Sequence, residues 1–125
     1  MFLFIPSATQ NCFSYAAGVA DRNIIPDNQM TASSRYDSNY GASDGRLNGG
    51  SAWCASHSDG NHDWLQVDLG KTFHICGVAS QGNVLDHEWV VDFKLSMSDG
   101  GNSWTTYSDA GGSEMVRVSS TFPIF

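Results

Sequence analysis

Metal binding is the first chemistry that residues 54–64 suggest, because this stretch is rich in oxygen, nitrogen and sulfur ligands. Asp59, Asn61 and Asp63 have the alternating spacing of an oxygen-ligand calcium loop. Trp64, however, stands where an EF-hand loop requires glycine, and the pattern indicates no flanking helices. A solvated loop without metal is therefore the prediction, and calcium binding is the alternative.

Two cysteines and two histidines offer a second set of metal ligands. These four residues are Cys54, His57, His62 and Cys76. A Cys2His2 set is typical of structural zinc, but these spacings match no standard zinc module. We predict neither a zinc site nor any other cofactor from them.

Catalytic chemistry has little support in the sequence. The four histidines stand in no recognised catalytic motif, and the sequence contains no G-x-S-x-G, H-E-x-x-H or P-loop pattern. Combinations of serine, histidine and aspartate arise by chance in a chain this rich in serine and aspartate, and a catalytic triad is defined by geometry. We predict that the protein is not an enzyme.

Residues 35–50, termed the first loop below, have the composition of a binding loop. The stretch is polar, has no hydrophobic periodicity and carries aromatic residues. Tyr36 and Tyr40 are rigid, amphipathic side chains that lose little entropy when they contact a partner. They are flanked by Asp37 and Asn39, which suits hydrogen bonding to a glycan or protein better than insertion into lipid.

The base of the first loop is expected to be structural. Arg46 is predicted to tie the loop base to a carboxylate such as Asp44 or Asp68, and Leu47 to enter the core. The loop would then project from a fixed point.

Alternation of apolar and polar residues predicts short strands. The cleanest run is residues 89–97, predicted as a core strand, and residues 64–70 alternate in the same way. Residues 73–81 are apolar on both faces and are predicted as a covered central strand. A glycine-rich turn leads into a returning strand at residues 103–107, where Trp104 is expected in the core. With few helix formers in the chain, the pattern favours an all-β sandwich or barrel.

Length and charge restrict the class of partner. The chain has 125 residues, enough for one domain, and a formal net charge of −7 with six Lys and Arg. Nucleic acid is not a predicted partner, because phosphate binding requires clustered basic residues, and anionic lipid is disfavoured on the same ground.

No segment reaches the roughly 18 apolar residues of a membrane span. The apolar run of residues 1–5 stops at Pro6 and lacks a basic leader, so no intact signal peptide is predicted. This run is interpreted as the end of a gene model or a short edge strand, with a signal remnant as the alternative.

Several stretches resemble the coagulation factor V/VIII type C family, also called the discoidin domain. They are I-I-P-D-N-Q-M-T-A-S-S at 24–34, the first loop with R-L-N at 46–48, W-L-Q-V-D-L-G at 64–70 and S-M-S-D-G-G-N-S-W-T-T-Y at 96–107. The resemblance implies a jelly-roll β-sandwich of the galactose-binding-like type. It places the domain at residues 12–125 and leaves residues 1–11 outside. Because the family's closing strands have no counterpart here, the domain is expected to be truncated at its C-terminus.

The resemblance also implies a function. It indicates an extracellular, non-catalytic binding module, secreted or part of an ectodomain, that mediates cell-surface or matrix recognition and cell adhesion. The family's ligands are glycans, proteins such as collagen or growth factors, and phospholipid headgroups. A lectin-like carbohydrate-binding module and a ligand-free structural fragment of a mosaic protein are the alternatives. Phospholipid is the weakest of the ligand classes, since the loop tips are expected to lack exposed Trp, Phe or Leu.

Seven residues are predicted to contact the ligand. Three come from the first loop and its base, one from the loop before Trp64, and three from the loop at residues 83–88, termed the second loop below. They are Tyr36, Tyr40, Asn48, Asp59, Asn83, Asp86 and His87. The tyrosines would supply stacking and contact area, and the Asp and Asn side chains would supply directional hydrogen bonds.

The three cysteines leave one thiol unpaired in any arrangement within the chain. The family joins its first cysteine to a final one that has no counterpart here, so the resemblance implies that Cys12 is unpaired within this chain. Cys54 and Cys76 lie in or beside neighbouring predicted strands. A bridge between these two is favoured over two free buried thiols.

Overall fold

The computed structural model describes residues 2–4, 16–56, 63–83 and 85–118. These residues form short strands and two 3-10 turns, at Asp27–Gln29 and Ala42–Gly45, and contain no α-helix. The strands are β1 (Phe2–Phe4), β2 (Met30–Ala32), β3 (Leu65–Val67), β4 (Gly77–Ala79), β5 (Asp92–Lys94), β6 (Ser96–Met97), β7 (Thr105–Thr106) and β8 (Met115–Arg117). The all-β prediction is confirmed, although each strand is shorter than its alternating sequence pattern.

The chain divides into two compact units, Met1–Glu88 and Trp89–Phe125. In the first unit, β1 pairs with β4 and β2 with β3, and both pairs are antiparallel. The register of the second pair places Met30 opposite Val67, which joins the I-P-D-N-Q segment to the W-L-Q-V-D-L-G segment. Of the interpretations of residues 1–5, the short strand is the one that the structure shows.

The core of the first unit surrounds two side chains that are almost completely buried, Val19 and Ile25. Ala17 and Met30 complete the buried cluster. Partly buried residues from three neighbouring segments pack against it, and these are Ala42, Val67, Leu69, Ile75 and Val78. The predicted inward alternation of residues 65–69 thus delivers two side chains to this core.

The segment predicted as a covered central strand is only partly covered. Within residues 73–81 the strand is restricted to β4, whose three residues are all half-buried. In the described part of the chain its one strand partner is β1. The prediction of a central strand covered on both faces is therefore wrong, because all three β4 residues keep part of their surface exposed to solvent.

In the second unit, β5 pairs with β8 and β6 with β7. Phe93, Leu95 and Met97 are half-buried, as the alternation predicts. Trp89 and Val91, at the start of the same run, are 52% and 62% exposed. They precede the first strand residue of β5, so the prediction that they are core is wrong, and the same holds for Trp104, which precedes β7.

Candidate functional site

The first loop is fixed by backbone hydrogen bonds to the segment around Cys54. The Tyr36 amide donates to the Cys54 carbonyl at 2.7 Å, and the Cys54 amide donates to the Tyr40 carbonyl at 3.3 Å. Within the loop, the Asp37 carboxylate accepts from the Asn39 amide at 2.7 Å, which forms an Asx turn. The tip of the loop is therefore folded back on itself and held at both ends.

The two predicted tyrosines form an aromatic pair at this tip. The rings of Tyr36 and Tyr40 are 6.2 Å apart between centroids and inclined at 73°, an edge-to-face arrangement. Tyr36 is 68% exposed. One ring of the pair thus faces solvent, while the other is half-buried and supports it.

The second loop is closed by its own polar side chains. The Asn83 amide donates to the Glu88 carbonyl at 2.7 Å and joins the two ends of the loop. The Asn83 side chain, which is buried, donates to the Asp86 carboxylate at 2.8 Å and accepts from the Leu85 amide at 3.1 Å. Asn83 therefore organises this loop from inside.

A hydrogen bond joins the two loops. The Tyr40 hydroxyl donates to the Asp86 carboxylate with 3.2 Å between the oxygens. This bond, together with the charges of Asp86, Asp37 and Glu88, raises the pKa of the Tyr40 phenol. The structure thus brings together four predicted site residues from segments more than 40 residues apart in sequence, and they are Tyr36, Tyr40, Asn83 and Asp86.

The three other residues predicted to contact the ligand are Asn48, His87 and Asp59. Asn48 is exposed, has a positive φ of 57°, and donates its amide to the Gln81 side chain just before the second loop. His87 is exposed on the second loop with a φ of 56°. Asp59 lies outside the described residues.

Arg46 holds the base of the first loop, but through partners other than those predicted. Its buried guanidinium donates to the carbonyls of Val19 and Ile25 and to the carboxylate of Asp27, each at 2.7 Å. The hydrogen bond from Arg46 is the main reason why the pKa of Asp27 lies below its usual value. The prediction of Asp44 or Asp68 as partner is therefore wrong.

Both predicted carboxylate partners of Arg46 are engaged locally. Asp44 accepts from the Gly41 amide at 2.8 Å, and Asp68 accepts from the Gly70 amide at 2.8 Å. Asp27 was missed, although it is the acidic residue of the I-P-D-N-Q segment and could have been found there. Leu47, expected in the core, is only half-buried.

Asp63 has a structural role in the segment whose spacing resembles a calcium loop. Its carboxylate accepts hydrogen bonds from the hydroxyls of Ser33 and Ser34 at 3.0 and 2.9 Å. The Ser34 hydroxyl in turn accepts from the Ser56 amide at 3.0 Å. Asp63 therefore connects three segments, and its presumed partners Asp59 and Asn61 lie outside the described residues, as do His57 and His62.

Across residues 16–56, 63–83 and 85–118, no group of three or more histidine, cysteine, aspartate or glutamate side chains is arranged to hold a metal ion.

The predicted bridge between Cys54 and Cys76 is wrong. Cys54 is a free, half-buried thiol, and its backbone is bonded to the first loop. Cys76, in contrast, is disulfide-bonded. Burial, followed by the charges of Glu88 and other nearby carboxylates, raises the pKa of the Cys54 thiol. Cys12, expected to be unpaired, lies outside the described residues.

One exposed side chain on the second loop contradicts an expectation from the sequence. Leu85 is 64% exposed, next to the Asp86 carboxylate that contacts the first loop. Lipid is the weakest predicted ligand class on the premise that the loop tips lack exposed Trp, Phe or Leu. That premise is wrong for the second loop.

The fold and the site together define a class of protein. It is an all-β domain in which two surface loops carry polar and aromatic side chains that contact one another. A family model described as the F5/8 type C domain matches residues 29–123. The chain belongs to the F5/8 type C (discoidin) domain family, whose fold is the predicted β-sandwich. No helix among the described residues is both long enough and apolar enough to cross a membrane.

Curated relatives include three lactadherins. The chain is 36% identical over 109 residues to lactadherin of Mus musculus, covering 76% of this chain and 23% of that protein. Lactadherin of Rattus norvegicus is also 36% identical over 109 residues, with 76% and 25% covered. Lactadherin of Sus scrofa is 36% identical over 107 residues, with 74% and 25% covered. The chain thus spans about a quarter of the length of these relatives.

Proposed function

We propose that the chain is an extracellular, non-catalytic recognition module that binds a cell-surface or matrix ligand through its first and second loops. The observation that carries the proposal is the hydrogen bond from Tyr40 to Asp86. It joins the two loops that carry six of the seven residues predicted to contact the ligand. Membership in a family of binding modules supports the same function.

The geometry suits recognition because the surface is preformed. Tyr36 offers an exposed aromatic ring that is supported from behind by Tyr40. Asp86 is held by two hydrogen bonds, from Tyr40 and from Asn83, so it keeps its position without a ligand. Side chains that are fixed before binding lose less entropy on binding, which improves affinity.

Binding of the purified chain to cells, measured by flow cytometry, tests the proposal. Tyr36→Ala removes the exposed ring and is expected to weaken binding about tenfold or more, since aromatic anchors at interface centres carry large shares of the affinity. Tyr107→Ala is the matched control, because Tyr107 is a 44% exposed tyrosine in the second unit. Equal binding by the Tyr36 variant and the parent chain, with both folded by circular dichroism, would refute the proposal.

A lipid headgroup is a second candidate ligand, favoured by one observation. Leu85 is exposed beside the carboxylate that joins the loops. An exposed leucine at a loop tip can enter the apolar boundary of a bilayer, and its burial there contributes to membrane affinity. Sedimentation with phosphatidylserine vesicles tests this, with Leu85→Ser expected to reduce binding. Glycan binding is tested separately on a glycan array, where a signal lost in Tyr36→Ala would support a lectin-like module.

A further inference from the structure

β5 and β6 are consecutive parts of one extended segment, residues 91–97, and both of their partner strands lie along the same edge of it. The Val118 amide donates to the Val91 carbonyl at 2.9 Å, and the Tyr107 amide donates to the Leu95 carbonyl at 2.8 Å. Val91 and Leu95 are an even number of residues apart, and the backbone groups of an antiparallel strand alternate between its two edges. Their carbonyls therefore face the same way, towards β7 and β8.

The opposite edge of this segment carries the backbone groups of the residues in between. By the same alternation, the amides and carbonyls of Asp92, Lys94 and Ser96 are directed towards it. The hydroxyls of Ser96 and Thr106 lie 3.1 Å apart, which agrees with a pair that exchanges no backbone hydrogen bonds and brings its side chains closer. Among the strands that the structure describes, none pairs with this edge. It is thus an open edge that can accept another strand.

The charges along the open edge complement a second copy of the same segment. Asp92 and Lys94 are exposed on either side of Phe93. When two copies pair antiparallel about Phe93, each Asp92 lies directly opposite Lys94 of the second copy, which gives two stabilising opposite-charge pairs. We propose that the chain forms a two-fold symmetric homodimer by antiparallel pairing of β5 along its open edge. This dimer does not involve the two loops of the proposed function.

The same charges select one register. Only the backbone groups of Asp92, Lys94 and Ser96 point to the open edge, so symmetric pairings that bond there shift in steps that centre on the adjacent residues. The two nearest alternatives centre on Asp92 or on Lys94 and place two like charges directly opposite each other. Like charges in that position are destabilising, so pairing about Phe93 is favoured over both.

Pairing about Phe93 also covers apolar side chains on the other face of the segment. Val91 is 62% exposed, and the register places it opposite Leu95 of the second copy. The two Phe93 rings lie opposite each other at the two-fold axis. Such aromatic and β-branched pairs across strands are stabilising, and removing Val91 from water adds burial that the single chain lacks.

Sedimentation velocity over a concentration series tests the homodimer, and we expect the sedimentation coefficient to rise with concentration. Asp92→Lys and Lys94→Asp are each expected to weaken self-association about tenfold or more, because each places like charges opposite one another. An equimolar mixture of the two variants is expected to restore association, since two lysines on one strand then face two aspartates on the other. A variant that fails to fold cannot be rescued by such mixing.

Glu114→Gln is the matched control for the charge changes. It removes the 2.8 Å ion pair that Lys94 makes within the chain and leaves the open edge unaltered. It is expected to change self-association by less than about twofold.

Lys94→Pro and Lys94→Ala together test the backbone pairing. Both variants remove the charge, but only proline removes the amide that points to the open edge. We expect Lys94→Pro to associate about fivefold or more weakly than Lys94→Ala, with both folded by circular dichroism. Equal association of the two folded variants would overturn pairing through this edge.

Further results would also overturn the inference. A parent chain that stays monomeric at every concentration means that the open edge recruits no second copy. Dimers that form equally well in Asp92→Lys, or single variants that do not associate when mixed, mean that the charges of this edge do not pair. Dimers that persist in non-reducing denaturing electrophoresis are linked through a thiol such as that of Cys54. The cell-binding assay tests the proposed function separately.

Discussion

The Tyr40 hydroxyl and the Asp86 carboxylate, 46 residues apart in the chain, lie 3.2 Å apart between their oxygens. The phenol donates this hydrogen bond, and Asn83 donates a second one to the same carboxylate oxygen. Two surface loops thereby share one acceptor and are fixed relative to each other. This relationship makes the loops a single surface rather than two independent ones.

The hydrogen bond makes a prediction about the titration of Tyr40. Its pKa is raised above the usual 10.0, mainly by the bond to Asp86, so Asp86→Asn is expected to lower it. Because the bond requires the protonated phenol, its contribution to stability is complete below pH 10.0 and is lost as the pH rises through the raised pKa. Difference absorbance of the phenolate, with Tyr40→Phe identifying the transition, measures both effects. An Asp86→Asn titration identical to that of the parent chain would contradict the assignment.

Arg46 is predicted to be essential for stability. Arg46→Leu leaves the carbonyls of Val19 and Ile25 and the carboxylate of Asp27 without their donor, at an expected cost of about 3 kcal/mol in the free energy of unfolding. Urea denaturation measures this change.

Arg22→Gln is the control for Arg46. The Arg22 side chain is 70% exposed, and its guanidinium lies 3.9 Å from the Asp27 carboxylate. Its removal is expected to cost less than about 0.5 kcal/mol, because exposed ion pairs contribute little. Similar costs for the two variants would mean that the buried carbonyl contacts of Arg46 contribute nothing measurable.

Gly18 is predicted to tolerate no side chain. It has a φ of +92°, and an added Cβ would overlap Cγ2 of Ile24. Gly18→Ala is expected to cost about 2 kcal/mol or more, because a steric overlap is added to the strain of the left-handed conformation. Gly112→Ala provides the comparison, since it has a φ of +81° with no atom within 4 Å of the added Cβ. Thermal unfolding measures the loss of stability in each variant. Equal losses of stability in Gly18→Ala and Gly112→Ala would mean that the overlap with Ile24 is relieved without an energetic cost.

The thiol of Cys54 is predicted to react slowly with iodoacetamide. Its pKa is raised by burial and then by the carboxylates of Glu88, Asp86 and Asp37, so less thiolate is present near neutral pH. Glu88→Gln is expected to increase the rate, and Asp68→Asn to leave it unchanged. Peptide mapping after timed alkylation measures the rate at Cys54 itself. A faster reaction than that of a free thiol in solution would contradict the burial and charge of the site.

The sequence predicts the two loops from local composition and from the family resemblance. Tyr36 and Tyr40 stand out because aromatic residues in a polar, aperiodic stretch are unusual, and Asn83 and Asp86 because they occupy a short loop after a predicted strand. The hydrogen bond between Tyr40 and Asp86 was not predictable, because sequence separation of 46 residues gives no information on distance. The carboxylate partner of Arg46 was predicted wrongly for the same reason. Asp27, Asp44 and Asp68 carry the same charge, so the sequence does not distinguish them as partners.

Burial was the property that sequence patterns predicted least well. Alternation correctly identifies half-buried Phe93, Leu95 and Met97, because a strand must place every second side chain on one face. It cannot show whether another element covers that face, and Trp104 and Val91 are exposed for this reason.

The all-β class, the family and the two loops follow from the amino-acid sequence, because residue period, turn chemistry and family motifs are properties of neighbouring residues. Contacts between distant residues come from the folded structure instead: Tyr40 contacts Asp86, Arg46 contacts Asp27, and Cys54 contacts the first loop rather than Cys76. Such contacts depend on which distant segments the folded chain brings together. The same local sequence is compatible with many arrangements of these segments, and packing around Val19 and Ile25 selects one of them.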